Sequence, residues 1–301
     1  MGNYRKALLF YNHEAGLNKI GDPLSNICHH LSENQINFSV IELPKSLVEI
    51  RNIVSQSIQD NFDLFIAAGG DGTVSMVSDP LIGTGKPLGI IPLGTGNVIA
   101  KSLDIPLKID RALDLITQPN HDFILMDALR VNNDRHYISN VSVGVSPELM
   151  ATTCQDDKKR MGFFAYLISL IKQLLGLKLH RYYLEFDHQK ASFLATEILI
   201  TNGRSTGIPR LKWSEDVSVD DGELDILILK AANILDFLGM VVSVFTQKQK
   251  SNPCIKQIPF REFCKIESRH SRKVQADGDV VGRTPIEVKL ITGAVKIIAN
   301  K

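Results

Sequence analysis

The sequence has little of several features that would define a special class of protein. Its 301 residues include four cysteines and one tryptophan, and 34 basic residues nearly balance 33 acidic ones. The cysteines form no CxxC pair and have no histidine at ligand spacing, which argues against a disulfide framework or a zinc site and fits a reducing cytoplasm. A net charge of +1 gives no reason to expect a nucleic-acid partner.

Long hydrophobic runs are also missing. The longest apolar stretch, residues 161–176, is interrupted by Lys172 and Gln173, whereas a bilayer span needs about 20 apolar residues. We therefore expect no transmembrane segment. Because basic residues 158–160 precede the stretch, it is either a core helix or an interfacial helix attracted to anionic headgroups. The run at 7–11 is too short for a signal peptide, so we expect a cytoplasmic protein, with peripheral attachment to the inner face of the membrane as an option.

The composition, 44% apolar and 22% charged, is typical of a globular chain, and the length suggests about two domains. The first 125 or so residues alternate short apolar runs with helical periodicity, which is typical of βαβ units around a parallel sheet. The predicted strands lie at 6–11, 38–42, 63–68, 88–92 and 123–131, and the predicted helices at 24–31, 47–58 and 109–116. Ligands are expected at the carboxyl ends of these strands.

Beyond residue 130, short β-rich segments are separated by turn signals such as Asp221-Gly222 and Asp277-Gly278. The predicted strands are 135–145, 181–186, 193–201, 224–229, 263–268, 286–290 and 294–298, with helices at 163–175 and 234–245. The pattern predicts an α/β doubly wound domain over residues 1–130, followed by an all-β sandwich over residues 131–290.

Two glycine-rich turns carry the clearest chemical signal. The first, Gly69-Gly70-Asp71-Gly72-Thr73, follows a buried strand and precedes a helical stretch. Glycines there let backbone N–H groups approach a polyphosphate, and a helix N-terminus favours negative charge. Asp71 would be repulsive unless it held Mg²⁺ or faced a reacting hydroxyl. The alternative is a tight strand-to-helix turn with an Asx cap.

The second turn, Gly94-Thr95-Gly96-Asn97, follows the next strand of the predicted parallel sheet. Because the carboxyl ends of neighbouring parallel strands meet at one edge, the two turns are expected to converge on one ligand. Taken alone, this second turn would as readily be an ordinary loop. The pairing of the two is what indicates a phosphate site.

With these turns in place, the chain resembles the bacterial diacylglycerol/sphingosine kinase-like lipid kinases nearly end to end. The shared blocks are GGDGT at 69–73, PLGIIPLGTGN at 87–97, Asp127 after a strand, KRMGFFAY at 159–166, Asn202-Gly203, DDGELD at 220–225 and ADGD at 276–279. GGDGT also occurs in NAD kinases and phosphofructokinases, so the other blocks carry the specificity. The resemblance implies an NAD-kinase-like first domain, joined by residues 291–301, in an enzyme that binds ATP and Mg²⁺ between its domains and phosphorylates a lipid hydroxyl at a membrane surface.

The resemblance also implies roles for individual residues. Nucleotide-binding positions are matched by Asn12, Gly16, Gly69, Gly70, Asp71, Gly72, Thr73, Gly94, Thr95, Gly96 and Asn97. A structural Mg²⁺ would be held by Asp221 with the carbonyls of Ser218 and Glu223, a donor set that suits a hard cation. Alternatively, Asp221 bonds backbone N–H groups within a turn. Asp127 would belong to a carboxylate network between the domains, or else lie at a solvated strand end.

The late acidic turn supplies the catalytic candidates of the second domain. Asp279 stands where the family has a glutamate proposed as general base, and Asp71 and Asp277 complete the catalytic set that the resemblance implies. A base must reach the lipid hydroxyl within about 2.6–3.2 Å, directly or through one water, and Asp279 is one methylene shorter than glutamate. The alternative for this turn is an ordinary type I′ hairpin.

Several positions depart from the family pattern. The first loop reads Asn-His-Glu-Ala-Gly instead of Asn-Pro-x-Ser-Gly at 12–16, Ser75-Met76 replaces an Asn-Glu pair, and Val98 replaces an aspartate. Loss of several polar contacts could silence phosphoryl transfer. Two other functions therefore stay open beside a lipid kinase: a non-catalytic lipid- or nucleotide-binding regulator, and a small-molecule kinase of the NAD type. The sequence specifies neither the lipid nor the oligomeric state, which leaves a homodimer open.

Overall fold

The computed structural model describes residues 4–15, 22–145, 177–203 and 218–300. Their strands are β1 (Lys6–Tyr11), β2 (Asn37–Glu42), β3 (Leu64–Gly69), β4 (Pro87–Pro92), β5 (Phe123–Val131), β6 (Arg135–Tyr137), β7 (Asn140–Gly144), β8 (His180–Phe186), β9 (Gln189–Ala195), β10 (Glu197–Thr201), β11 (Leu224–Leu229), β12 (Ile255–Phe260), β13 (Phe263–Ser268), β14 (Lys273–Ala276), β15 (Asp279–Arg283) and β16 (Ile286–Ile298). Their α-helices are α1 (Pro23–Glu33), α2 (Leu47–Gln59), α3 (Asp71–Ser78), α4 (Val98–Ser102), α5 (Ile109–Thr117) and α6 (Ile234–Phe245). The predicted helix at 163–175 and Gly16 lie outside the described residues.

The first sheet begins as a parallel α/β sheet. Strands run in the order β2-β1-β3-β4, and every pair among them is parallel. Strands β3 and β4 are buried along their whole length, as expected for apolar runs covered on both faces. Helix α1 begins where Asp22 caps the N–H of Ser25 and Pro23 presets the first turn. The site is built where β1, β3 and β4 end.

Strand β16 extends this sheet into the second half of the molecule. It pairs in parallel with β4 near its C-terminal end and antiparallel with β13 near its start, while β5 lies along it in antiparallel register. The apolar residues of 294–299 pack in the first hydrophobic core, whereas Val288 packs in the second. One strand thus contributes to both cores. The boundaries drawn at residues 130 and 291 stay predictions.

The second core lies between two β-layers. One layer is the far part of the first sheet, which continues through β13, β8 and β9; the other is an antiparallel sheet in the order β12-β11-β10-β7-β14-β15. Large apolar side chains from both layers meet there, including Tyr182, Phe186, Ile198, Ile226 and Phe260. The predicted fold class, an α/β domain followed by a β-sandwich, is confirmed. Over the residues described, no helix is both long and apolar enough to cross a bilayer.

Four details of the second half differ from the predicted strands. The segment predicted as one strand over 135–145 is two strands, β6 and β7. The segment predicted as one strand over 193–201 is two strands, because the chain leaves the first sheet at Thr196 and enters the second. The Thr196 hydroxyl donates to the Leu229 carbonyl at that crossing, over 2.9 Å. Conversely, 286–290 and 294–298 are one strand, because a register shift between Ile291 and Val295 absorbs the intervening turn residues. Strands β12, β14 and β15 were not predicted.

Candidate active site

The first glycine turn joins β3 to α3 with very little space. Gly70 is the N-cap of α3 in an extended conformation, and α3 starts at Asp71. A Cβ atom on Gly69 would lie 2.2 Å from the Thr73 hydroxyl oxygen, so only glycine fits at that position. Gly72 is exposed, and an added Cβ there would meet nothing within 4 Å. The turn therefore offers an open helix N-terminus, where backbone N–H groups and the helix dipole favour an anion.

The second glycine turn lies directly against the first. The Leu93 N–H donates to the Gly69 carbonyl over 2.8 Å, and a Cβ on Gly94 would lie 2.6 Å from the Gly70 Cα. Asn97 adopts a left-handed conformation (φ 48°) and donates through Nδ2 to the Gly94 carbonyl. The two turns are thus in backbone contact, and residues 95–96 at the tip of the second remain exposed.

Asp71 links the two turns through its side chain. Its Oδ1 accepts a hydrogen bond from the Ile99 N–H over 2.9 Å, at the start of α4. A Cβ on Gly96 would lie 3.0 Å from Asp71 Oδ2, so the second oxygen also faces that loop. The carboxylate therefore fixes the second turn relative to α3, whatever else it does in a reaction.

A third segment reaches the same place from β1. The Asn12 N–H donates to the Ala68 carbonyl, and Asn12 Nδ2 donates to the Thr73 hydroxyl over 3.0 Å. Asn12 Oδ1 accepts from the Glu14 N–H, which holds the start of the loop. The structure thus brings Asn12, Thr73 and the two glycine turns together at the carboxyl ends of β1, β3 and β4. Gly16 lies outside the described residues.

The acidic turn of the second half is attached to α3. Asp277 (φ 46°) and Gly278 (φ 94°) form the tight turn between β14 and β15, and both have the positive φ of a type I′ hairpin. The Ser75 hydroxyl donates to Asp277 Oδ2 over 2.6 Å. Since Ser75 is one helical turn beyond Asp71, the acidic turn lies on the order of 10 Å or less from the phosphate-binding candidates.

Both carboxylate oxygens of Asp277 are engaged. Besides Ser75, they accept from three consecutive backbone N–H groups, those of Ile138, Ser139 and Asn140, over 2.9 to 3.0 Å. Burial raises the pKa of Asp277, and the hydrogen bonds from Ser75 and the backbone oppose this rise. This arrangement favours a positioning function for Asp277, and its predicted catalytic role stays a prediction.

Asp279 stands at the open side of the same turn. Its side chain is 61% exposed and forms an ion pair with Arg135, whose Nη1 lies 3.3 Å from Asp279 Oδ2. The Arg135 guanidinium also lies 4.7 Å from the centroid of the Tyr137 ring. Asp279 is therefore accessible to a ligand entering between the lobes, with a cation beside it. Arg135 has no local sequence signal, because it reaches the turn only through the β5–β6 hairpin.

Asp127 lies between the two halves and is almost fully buried. Its Oδ1 accepts from the Gly293 N–H over 2.7 Å and its Oδ2 from the Gly222 N–H over 2.9 Å. Burial raises the pKa of Asp127; these two hydrogen bonds lower it, and the nearby Asp221 and Asp220 carboxylates raise it. The solvated strand end that was the alternative does not match this burial. The carboxylate connects the turn at residues 220–222, which we call the DDG turn, to the register shift of β16 between Ile291 and Val295.

Asp127 also receives support from a second buried residue. The Asn202 side chain donates to the Asp127 carbonyl over 2.7 Å and to the Ile138 carbonyl over 3.2 Å. In the sequence, Asn202 stands out only as part of the Asn202-Gly203 block of the resemblance. The structure shows that it ties β10 to the loop that also holds Asp277.

Asp221 forms a local turn. Its Oδ2 accepts from the Ser218 N–H and its Oδ1 from the Glu223 N–H, over 2.9 and 3.0 Å, so the backbone-bonded turn is present. Each oxygen keeps a lone pair for a further partner. In the part of the chain that is described, no three His, Cys, Asp or Glu side chains converge as a metal site. The surroundings are acidic, since Asp221 raises the pKa of both Asp127 and Asp225, where burial is the largest cause.

A separate network anchors the β6 hairpin to the first half. The Asp79 side chain is only 1% exposed and accepts from Arg51 Nε over 2.7 Å, from the His136 N–H over 2.9 Å and from His136 Nδ1 over 3.0 Å. Burial by itself would raise the pKa of Asp79, but the hydrogen bonds from His136 and Arg51 lower it to about 2. Because Arg135 precedes His136, this network fixes the residue that pairs with Asp279.

Two known family models match this chain. The diacylglycerol kinase catalytic domain matches residues 6–127, and the YegS C-terminal NAD kinase beta sandwich-like domain matches residues 139–299. The two matches together span both lobes, and the second alone exceeds half of the chain. The chain belongs to the family of kinases that combine a diacylglycerol kinase catalytic domain with a YegS C-terminal domain. Membership implies a phosphotransferase that uses ATP and typically a divalent metal.

Similar proteins extend along nearly the whole chain. An uncharacterized protein of Synechocystis sp. is 29% identical, over 99% of this chain and 71% of that protein. A protein of Staphylococcus carnosus named "Putative lipid kinase" is 27% identical, over 98% of this chain and 97% of its own length. A crystal structure described as a diacylglycerol kinase from Bacillus anthracis str. Sterne is 25% identical, covers 100% of this chain and 99% of that one, and has a TM-score of 0.78.

Proposed function

We propose that the protein is an ATP-dependent lipid kinase that transfers the γ-phosphate to a hydroxyl group of diacylglycerol or a related lipid. The observation that carries the proposal is the hydrogen bond between Ser75 and Asp277, because it connects the acidic turn to the helix that begins at Asp71. This contact supports a single site formed by the candidate base and the candidate phosphate loops. The family matches over both lobes support the same function.

In the proposed reaction the two glycine turns bind the nucleotide phosphates through backbone N–H groups. The exposed tip at Thr95 and the open N-terminus of α3 at Gly72 are the accessible parts of that cradle. Asp71 keeps the two turns in register through the Ile99 N–H. Phosphoryl transfer depends mainly on such positioning and on charge stabilisation.

Asp279 is the proposed general base. It is the accessible carboxylate of the turn, whereas Asp277 beside it is fully engaged in hydrogen bonds. Asp279 accepts the proton of the lipid hydroxyl as the oxygen attacks the γ-phosphorus and the bond to the β–γ bridging oxygen breaks. The leaving ADP carries away the electron pair of that bond.

Mg²⁺ is part of the proposal as a structural ion at the DDG turn. Asp221 would contribute carboxylate oxygen, and Ser218 and Glu223 backbone carbonyls, all ligands that Mg²⁺ accepts. The acidic surroundings fit a cation: burial is the main cause of the raised pKa of Asp127, and the Asp221 and Asp220 carboxylates raise it further. A bound cation would supply charge that offsets the repulsion among these carboxylates. Asp127 connects the turn, through the Gly222 N–H, to the Gly293 N–H of β16.

The test offers diacylglycerol in detergent micelles and NAD side by side, with radiolabelled ATP. Diacylglycerol is expected to be labelled, and Asp71→Ala serves as the blank. Asp279→Asn is expected to lower turnover by about 10²–10⁴-fold with ATP binding retained, because it removes the base and keeps the shape. Asp279→Glu is expected to remain active, and Asp104→Asn, at an exposed position, is the matched control.

Each other outcome identifies a different function. Labelling of NAD in place of the lipid would indicate a small-molecule kinase. ATP binding in calorimetry with no transfer to any lipid would indicate a regulator with a degenerate site. Undiminished turnover in Asp279→Asn would remove Asp279 from the mechanism while leaving the kinase assignment in place.

A further inference from the structure

Helix α6 presents an apolar face to solvent. Leu235, Leu238, Val242 and Phe245 are 75%, 50%, 59% and 57% exposed, and we call these four residues the α6 outer face. Their spacing of three, four and three residues places them on one side of the helix, within an arc of about 120° that also contains Gly239 and Thr246. None of the residues in this arc is charged.

The opposite side of the helix already has its packing partners. Met240, Ser243 and Val244 are buried, and the Asn252 side chain donates to the Ser243 hydroxyl and the Gly239 carbonyl, which fixes the helix to the following segment. The helix is therefore held in a definite orientation. The core is packed by the opposite side of α6, so the α6 outer face is a surface that this packing leaves exposed.

This concentration of apolar surface is unusual within the described residues. Eight further large hydrophobic side chains are exposed among the described residues, but no helix or strand other than α6 carries more than one of them. Single exposed hydrophobic residues are normal on a soluble protein, whereas a contiguous apolar face marks a contact with a protein or a membrane. We therefore expect the α6 outer face to be covered by a binding partner.

Charge around the helix identifies the occupant. Exposed Lys248 and Lys250 follow the last turn, and Lys230 precedes the first. The one acidic residue of the segment, Asp236, lies outside the apolar arc and accepts from the Ala232 N–H at the helix start. An apolar face bordered by lysines matches a bilayer that offers acyl chains beneath anionic headgroups.

We propose that the α6 outer face, with Lys248 and Lys250, docks the protein on an anionic lipid membrane. The inference rests on the proposed function in so far as a lipid substrate requires contact with a bilayer. Helix α6 follows β11, which lies four strands, or about 19 Å, from the strand β15 that begins at Asp279. The face is therefore a docking surface distinct from the site that receives the lipid hydroxyl. The helix lies in the plane of the interface with its apolar side toward the acyl chains.

The test is co-sedimentation of the full chain with vesicles, without ATP or substrate. Vesicles of phosphatidylcholine alone are compared with vesicles that also contain phosphatidylglycerol. The double variant Leu238→Asp/Val242→Asp is expected to lower partitioning onto the mixed vesicles by about tenfold or more. Leu107→Asp/Val48→Asp places the same charges at exposed positions of similar size elsewhere and is expected to bind like the wild type.

A second variant separates the charge contribution from the apolar one. Lys248→Gln/Lys250→Gln is expected to weaken binding to the mixed vesicles by about five- to thirtyfold and to leave binding to pure phosphatidylcholine unchanged. Equal binding by the wild type and Leu238→Asp/Val242→Asp, or equal losses in that variant and its control, would overturn the proposal.

Sedimentation velocity and a micellar assay complete the design. A wild-type dimer that Leu238→Asp/Val242→Asp dissociates, with vesicle binding unchanged, would show that a second copy covers the face and would overturn membrane docking. Transfer to diacylglycerol in detergent micelles is expected to survive in this variant. Failure of the wild type in the micellar assay would count against the proposed function alone, because vesicle binding is measured without catalysis.

Discussion

The hydroxyl of Ser75 donates a 2.6 Å hydrogen bond to the carboxylate of Asp277, 202 positions later in the chain. Ser75 belongs to the helix of the first glycine turn, and Asp277 to the hairpin of the candidate base. The same carboxylate accepts from the backbone at residues 138–140. One side chain thereby aligns three segments from both lobes.

Ser75→Ala is expected to lower the free energy of unfolding by about 1–3 kcal/mol and to reduce kcat more than it changes KM for ATP. The reason is that Asp277 loses its one side-chain donor while its remaining partners stay fixed. Denaturant unfolding and steady-state kinetics measure the two effects. Ser78→Ala is the matched control, since that hydroxyl bonds only within its own helix, to the Ser75 carbonyl. Equal losses in the two variants would contradict the inter-lobe role.

Gly94→Ala is expected to damage both the fold and nucleotide binding, because the new Cβ would lie 2.6 Å from the Gly70 backbone. Gly72→Ala is the matched comparison: its Cβ enters open space at the helix N-terminus. We expect Gly72→Ala to keep the melting temperature of the wild type and to weaken ATP binding in calorimetry. ATP binding of wild-type strength in Gly72→Ala would place the nucleotide elsewhere.

Asp127→Asn is expected to cost about 1–3 kcal/mol of stability and to lower turnover. The amide of asparagine has one oxygen in place of two, so one of the two partly buried N–H groups of Gly222 and Gly293 loses its partner. Faster hydrogen exchange at these two amides would report the released turn. Asp63→Asn is a matched control, because Asp63 accepts from the Arg5 and Lys6 N–H groups at a more exposed position far from the site. Its turnover is expected to stay unchanged.

The lowered pKa of Asp79 predicts that the protein loses folding stability at low pH. The pKa of Asp79 is lowered from 3.8 to about 2, so its stabilisation is complete above about pH 4 and is lost as the pH falls through about 2. The shift corresponds to about 2 kcal/mol. Urea unfolding at several pH values is expected to show this loss in the wild type and its absence in Asp79→Asn. Asp114→Asn, at a half-exposed carboxylate, is expected to follow the wild type.

The parallel strands and the two glycine turns were predictable because both rest on local patterns. Buried strands such as β3 and β4 are recognisable from their apolar composition. The contact of Gly70 with Gly94 follows because the strands that precede these two glycines are neighbours in the sheet. The contacts of Arg135 and Asp127 depend instead on a hairpin and a strand bulge far along the chain. Nothing near Arg135 in the sequence indicates that it faces Asp279, and Ser75 was visible only as a departure from a pattern.

Strand β16 sets an order of events during synthesis. The first lobe needs residues 294–299 to complete its core, and β4 needs the end of β16 as its neighbour. Almost the entire polypeptide must therefore leave the ribosome before the first half of the chain can complete its hydrophobic core. Until then, the edges of β4 and β5 stay unpaired along that side and require protection from other chains.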